Sequence, residues 1–168
     1  TEPQTWRVLL DKELTHIIYY PELKDTSKYV MPETVTVIEA NAFNENENLL
    51  EVVTSKELKT IKQGAFAYCK NLKNFQFNDK IETIEAWAFE YCNLGEIYIP
   101  ASLRHFGGSS VFENCSSLKK VYVDDLENYL KIDMLNIAGI DKSIDFYIQG
   151  KLATEIKIPD TITTIPWG

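Results

Sequence analysis

The side chains with the most obvious reactive potential are three cysteines, Cys69, Cys92 and Cys115. As thiolates they would be nucleophiles or metal ligands, and as a pair they could form a disulfide. Each stands three residues after a phenylalanine, and successive cysteines are 23 residues apart. A metal site needs ligands that converge on one point, and zinc sites are built from closely spaced pairs. A column repeated along a stack does not converge. Neighbouring coils could bring two Cα atoms to disulfide distance, but parallel side chains fit the required dihedral poorly. The favoured reading is a small, buried, hydrophobic thiol repeated as a packing ladder, with an opportunistic disulfide as the alternative. The equivalent position one period earlier is Asn46, which suits a polar ladder position and not a catalytic thiol.

Other candidates for chemistry are weaker still. His16 and His105 lack any paired-histidine context and read as surface or structural residues. "FGGSS" places Ser109 and Ser110 after two glycines, yet it is not the G-x-S-x-G of a nucleophile elbow. The acidic "NENENLLE" has no calcium-loop spacing and reads as a solvated turn. No phosphate-cradling loop or dinucleotide fingerprint occurs. The expectation is therefore a protein that is not an enzyme, with no catalytic residue, no metal site and no cofactor.

The cysteine spacing belongs to a larger pattern. Phe43, Phe66, Phe89 and Phe112 recur at the same interval, preceded by Ala42, Ala65, Ala88 and Val111. Val35, Leu58 and Ile81 form another column, as do Ile38, Ile61 and Ile84. Downstream stand Leu49, Leu72, Leu94 and Leu118, then Val52, Phe75, Ile97 and Val121. These last columns slip by one residue in "YCNLGEIYI" and recover at "HFGGSSVF". One repeat unit reads L-x-x-Φ-x-Φ, a polar turn, then Φ-x-x-Φ-x-x-x-A-F-x-x-C, where Φ is apolar. The alternation in "LKNFQF", "LGEIYI" and "LKKVYV" is a strand signal. "QGAFAYCKN" is too short for a free-standing helix and reads as one helical or 3₁₀ turn pointing Ala and Phe inward. One strand and one return segment per period make a solenoid coil, with successive strands pairing in parallel.

The segments "PETVTVIEANAF", "LKTIKQGAFAYCKNL", "IETIEAWAFEYCNL" and "VFENCSSLKKVYV" resemble the BspA-like (Treponema pallidum-type) leucine-rich repeat of bacterial surface proteins. The resemblance covers at least residues 29–123 and resumes at "IKIPDTITTIPWG". It implies an extracellular or cell-surface location and an adhesive role, with a protein or glycan ligand on a host or neighbouring cell. The fold expected is an α/β leucine-rich-repeat solenoid of about 23-residue coils. It would carry a short parallel sheet on one face, with β-hairpin and helix elements flanking the coils.

Four segments follow. Residues 1–28 contain "WRVLLDKELTHIIYY", which reads as an N-terminal hairpin or cap; residues 29–123 are the repeats. Residues 124–158 break the period with a helix and a hairpin turning at Gly150. Asp124 and Glu127 mark the helix start, and Leu126, Tyr129, Leu130 and Met134 its apolar face. Residues 159–168 start a further, truncated repeat, with Ile162 and Ile165 in the columns of Val35 and Ile38. The opening "TEPQTWRVLL" has no charged-then-apolar leader, so no signal peptide is read in this chain. The stop at Gly168 suggests a ragged natural end or a segment of a longer array with further repeats.

Composition narrows the partners. The 168 residues carry a net charge of −8 with 45% hydrophobic residues, enough apolar surface for a real core. That charge disfavours nucleic acid and anionic membrane surfaces, and no apolar run is long enough for membrane insertion. Strand alternation turns the x residues of L-x-x-Φ-x-Φ outward. One outward column reads Val53, Gln76, Tyr98, Tyr122 and then Lys157; the column before it reads Glu51, Asn74, Glu96, Lys120 and Glu155. Tyr98, Tyr122, Gln76, Asn74, Glu96 and Lys120 are the candidate binding residues, as tyrosine suits contact surfaces. Equally, tyrosines pair across strands and stabilise a sheet, which fits a structural spacer projecting another domain, such as that of a secreted enzyme, from the cell envelope. Trp87 replaces Asn41 and Gly64 and is either exposed on the opposite face or lodged between coils.

Overall fold

The apolar columns close the chain into stacked coils in the computed structural model, which describes residues 7–21, 26–107, 110–132 and 144–163. Ser109, Met134 and Ile165 lie outside these residues. The first coil opens with the antiparallel hairpin β1 (Leu9–Leu10) and β2 (His16–Tyr19), followed by β3 (Lys28–Val30). Each later coil adds a short strand and then a face strand. These are β4 (Val37–Ile38) and β5 (Glu51–Val53), then β6 (Thr60–Ile61) and β7 (Asn74–Phe75), then β8 (Thr83–Ile84) and β9 (Glu96–Ile99). The last complete coil has β10 (His105–Phe106) and β11 (Lys120–Val123). After it come the six-residue helix α1 (Leu126–Lys131) and the hairpin β12 (Asp145–Ile148) and β13 (Lys151–Leu152).

The expected parallel sheet is present, and a second one accompanies it. The Φ-x-x-Φ segment, read only as part of the return, forms the ladder β1-β2-β4-β6-β8-β10. The face strands form two ladders, β3-β5-β7 and β9-β11-β12-β13, with no pairing between β7 and β9. A third stripe of bonds runs along the turns: Phe43 N–H to Ala65 O and Phe66 N–H to Ala88 O, both 2.8 Å, and Phe89 N–H to Val111 O at 2.9 Å. Inter-coil pairing on all three sides satisfies backbone groups that a buried coil would otherwise strand.

The "GAFAYC" segments are tandem tight turns and not a helix. Their closure needs left-handed backbone at two columns, Asn41, Gly64, Trp87 and Ser110, and then Glu45, Tyr68, Tyr91 and Asn114. A Cβ on Gly64 would meet Asn41 Oδ1 at 2.5 Å, so a larger residue there would have to displace the Asn41 side chain. Trp87 holds the same conformation (φ 56°) and projects outward, 39% exposed.

Inside, the repeat phenylalanines stack face to face. Ring centroids are 4.7 Å apart for Tyr20–Phe43, 4.6 Å for Phe43–Phe66, 5.3 Å for Phe66–Phe89 and 5.5 Å for Phe89–Phe112. Tyr20 thus occupies the phenylalanine column, and β2 pairs in parallel with β4. The N-terminal segment builds a coil of its own, with the β1–β2 hairpin at its outer edge.

Strand β12 also joins the stack. β12 lies parallel to β11, with Tyr122 opposite Tyr147 and Lys120 opposite Asp145. Tyr147 and Asp145 therefore continue the outward columns, in place of the expected Lys157 and Glu155. The helix cap is Asp125 and not Asp124: its side chain accepts from Asn128 N–H at 2.9 Å. Asp124 is turned toward β9 instead, where it accepts the Tyr98 hydroxyl. The Pro-x-x-Φ turn of Pro32–Val35 (3.1 Å) recurs at Pro159–Ile162 (2.9 Å), in the column expected for Ile162.

Phe89 has a stacked ring on each side and edge contacts from Phe75 and Phe77 at 4.8 and 5.6 Å. Phe89→Ala should lower stability by about 3–5 kcal/mol in denaturant melts. A loss well under about 1 kcal/mol would place the ring outside the core.

Candidate functional site

Each of Cys69, Cys92 and Cys115 is buried and free. Their Sγ–H groups donate to Phe43 O, Phe66 O and Phe89 O at 3.0, 3.1 and 3.0 Å. Each thiol thus ties its own coil to the ring-bearing turn of the coil before. Asn46 performs the same task in its coil, donating from Nδ2 to Pro21 O at 3.2 Å while Oδ1 accepts Leu49 N–H at 3.1 Å. Burial pushes the Cys69 and Cys115 thiols up to about 12, and burial together with the thiols on either side raises Cys92 as well. Neutral, enclosed thiols of this kind are poor nucleophiles. Among the described residues, no group of three or more His, Cys, Asp or Glu side chains is arranged to hold a metal.

The outward face is where side chains remain available. Strand alternation places Tyr98 on β9 and Tyr122 on β11, flanked by buried Ile97, Ile99, Val121 and Val123. Their rings stack at 6.4 Å, and Tyr147 extends the ladder at 4.8 Å from Tyr122. Asp124 holds the Tyr98 hydroxyl, and the Tyr122 hydroxyl points to Glu96 Oε2 at 3.4 Å, a weak contact. The Asp124 bond orients the Tyr98 ring, and Tyr122 is held between the rings of Tyr98 and Tyr147. Tyr147 was missed because its strand follows Tyr122 by 25 residues and not 23. The pattern "DFYI" beside "EIYI" and "KVYV" is the signal that identifies it.

The remaining candidates divide between two adjoining clefts at the gap between β7 and β9. The first is about 420 Å³, with Phe75, Phe77 and Ile97 beneath and Gln76, Glu96, Tyr98 and Tyr122 around it. The second is about 450 Å³ and brings Asn74, Gln76 and Glu96 together with Glu51, Lys56 and Lys73. Lys120 lies opposite Glu96 in register but borders neither cleft. In the same column Glu51 pairs with Lys28 at 2.7 Å, whereas no ion pair reaches Glu96 among the described residues.

A second aromatic pair lies on the turn side, Tyr68 stacked on Tyr91 at 4.9 Å. It is hemmed by Glu45, Glu90 and Glu113, and Glu90 is raised by burial and by the neighbouring Glu113. His16 is bound within the short-strand sheet, its Nδ1 2.7 Å from Glu39 Oε1, while Lys62 pairs with the other Glu39 oxygen at 2.7 Å. Among the described residues no helix is long and apolar enough to cross a membrane.

The buried thiols predict a specific pH response. Unfolded cysteine ionises near about pH 8.5, so raised folded values mean that the native state binds more protons above that pH and stability falls as pH climbs toward about 12. Cys69→Ala should cost about 1 kcal/mol at neutral pH and draw level with the parent at about pH 9–10 in urea melts, because it lacks one of these groups. A difference that stays constant with pH would mean that the thiol is not held neutral inside.

Several solved structures share this architecture. The pneumococcal vaccine antigen PcpA superposes with a TM-score of 0.62 at 23% identity, over 84% of this chain and 40% of its own. The T. pallidum leucine-rich repeat protein superposes with 0.61 at 23% identity, over 89% and 64%. A leucine-rich cell surface protein from Faecalibacterium prausnitzii gives 0.53 at 23% identity, over 68% and 36%. This chain therefore spans less than two thirds of each of these relatives. No curated protein matches the sequence. The profile of the BspA type leucine-rich repeat region matches residues 36–166 in 6 copies. The chain belongs to the BspA-type leucine-rich repeat family.

Proposed function

We propose that this chain is a non-catalytic recognition module of an extracellular or cell-surface bacterial protein. It binds a protein or glycan ligand, on a host or neighbouring cell, across the outward face of the β9-β11-β12 sheet. The observation that carries the reading is the preorganised ladder Tyr98–Tyr122–Tyr147 beside the Glu96 and Gln76 cleft. Aromatic rings held in place by neighbours offer contact area at small entropic cost. Family membership supports a module of interaction and not of catalysis, and the cell-surface description of the Faecalibacterium relative supports the location.

A spacer that only projects another domain is the second reading, favoured by the same tyrosines pairing across strands. The two separate cleanly. Tyr98→Ala combined with Tyr122→Ala should weaken capture of a protein or glycan partner at least about tenfold, in pull-down and glycan-array measurements, while the chain stays folded. Unchanged capture by a folded double variant would remove these residues from the site. A loss of stability with no partner found for the parent would favour the spacer.

A further inference from the structure

The interruption between β7 and β9 sits at the open end of the tyrosine ladder. Tyr98 has Tyr122 against one face of its ring, and the preceding coil offers Gln76 in place of another aromatic. The ladder of rings therefore stops at a cleft, with Tyr98 still 40% exposed. The cause is local. Only Asn93 separates Cys92 from Leu94, where two residues separate Cys69 from Leu72. The last backbone bond carrying β7's coil to the next is Asn93 N–H to Leu72 O at 3.1 Å, after which no ladder forms. The facing edges of β7 and β9 have no neighbouring strand, so N–H donors and carbonyl acceptors alternate along the gap.

Of the two adjoining clefts at the gap, the one bordered by Tyr98 has no lysine in its lining, whereas Lys56 and Lys73 line the other. The lining of the Tyr98 cleft contains one charged side chain, Glu96, with no ion pair among the described residues. Gln76 contributes an amide that can both donate and accept, and its backbone carbonyl is already taken by the Thr54 hydroxyl at 3.1 Å. The chain as a whole carries −8. An exposed aromatic face beside a carboxylate, in a chain of net negative charge, fits a planar cation. The guanidinium group answers each of these: it stacks on tyrosine, pairs with carboxylate through a rigid fork, and carries five N–H donors and no acceptor. An ammonium would satisfy the charge but could not continue the stack of planar groups.

We infer that the cleft between β7 and β9 receives an arginine side chain of a partner protein, its guanidinium stacked on Tyr98 and paired with Glu96. This rests on the proposal that the sheet face is the recognition surface, and names the partner as a protein presenting arginine. Asp124, by holding the Tyr98 hydroxyl, acts as a positioning residue for the ring.

The test uses the isotope-labelled full chain and two blocked pentapeptides, Gly-Ser-Arg-Ser-Gly and its citrulline counterpart, followed by the NMR shifts of the Tyr98 ring and Gln76 amide. Citrulline keeps the shape and loses the charge. The arginine peptide should move both signals and bind about tenfold more tightly than the citrulline peptide. Glu96→Gln should abolish that preference. Equal binding of the two peptides, or a preference untouched by Glu96→Gln, would overturn the arginine assignment. Shifts of Tyr98 by methyl β-glucoside and not by the arginine peptide would overturn it in favour of a saccharide, leaving the face itself standing. Peptide-induced shifts confined to Tyr68 and Tyr91 would overturn both the cleft and the face.

Discussion

The spacing of the ring column governs everything else in this molecule. Tyr20, Phe43, Phe66, Phe89 and Phe112 stack at 4.6–5.5 Å, close to the separation at which neighbouring strands hydrogen-bond. A ring in van der Waals contact with the next therefore sets coils at a distance that lets the two sheets and the turn stripe pair together. Burial of the rings supplies the driving force, and the backbone bonds supply the direction. The cysteine column reinforces the same pitch, each thiol binding the carbonyl of the preceding coil's phenylalanine. Because every coil contacts only its neighbours, stability here is a sum of interfaces.

Once the pitch is fixed, residues at equivalent positions are forced into columns, whatever their chemistry. Tyr98, Tyr122 and Tyr147 are brought into a stack by strand register alone. The same register places Glu39 between His16 and Lys62, and Tyr68 against Tyr91. A surface of this kind is rigid before it meets a partner, so binding costs little ordering. It also makes a one-residue deletion consequential. Shortening the turn before Leu94 breaks the face ladder at one place and leaves a cleft beside the end of the tyrosine stack.

Much of the architecture was legible because period and chemistry coincide in the middle of the chain. The columns of Phe, Cys, Leu and Ile between residues 35 and 121 specify the coils, their parallel order and their buried face. The ends were not legible for the same physical reason: coils can change length outside the core. Ile17 pairs with Ile38 at a spacing of 21, and tyrosine replaces phenylalanine at position 20, so the first coil resembled a cap. The helix α1 lengthens the interval before β12, which hid Tyr147 and Asp145 from a 23-residue ruler. Two-residue strands such as Thr60–Ile61 carry too little alternation to announce a second sheet. At the site, the outward tyrosines follow from alternation, whereas the Asp124 bond and the gap between β7 and β9 depend on three-dimensional register. Asp124 looked like a helix cap because Asp125, beside it, could do that task equally well.

The central claim is that the outward sheet face, and not the turn side, meets the partner. Hydrogen–deuterium exchange of the chain alone and with a partner that the parent captures tests it most directly. The account predicts added protection concentrated at residues 74–77, 96–99, 120–123 and 145–148. Protection confined to the turns at 66–70 and 89–93, with the strand face unchanged, would contradict it.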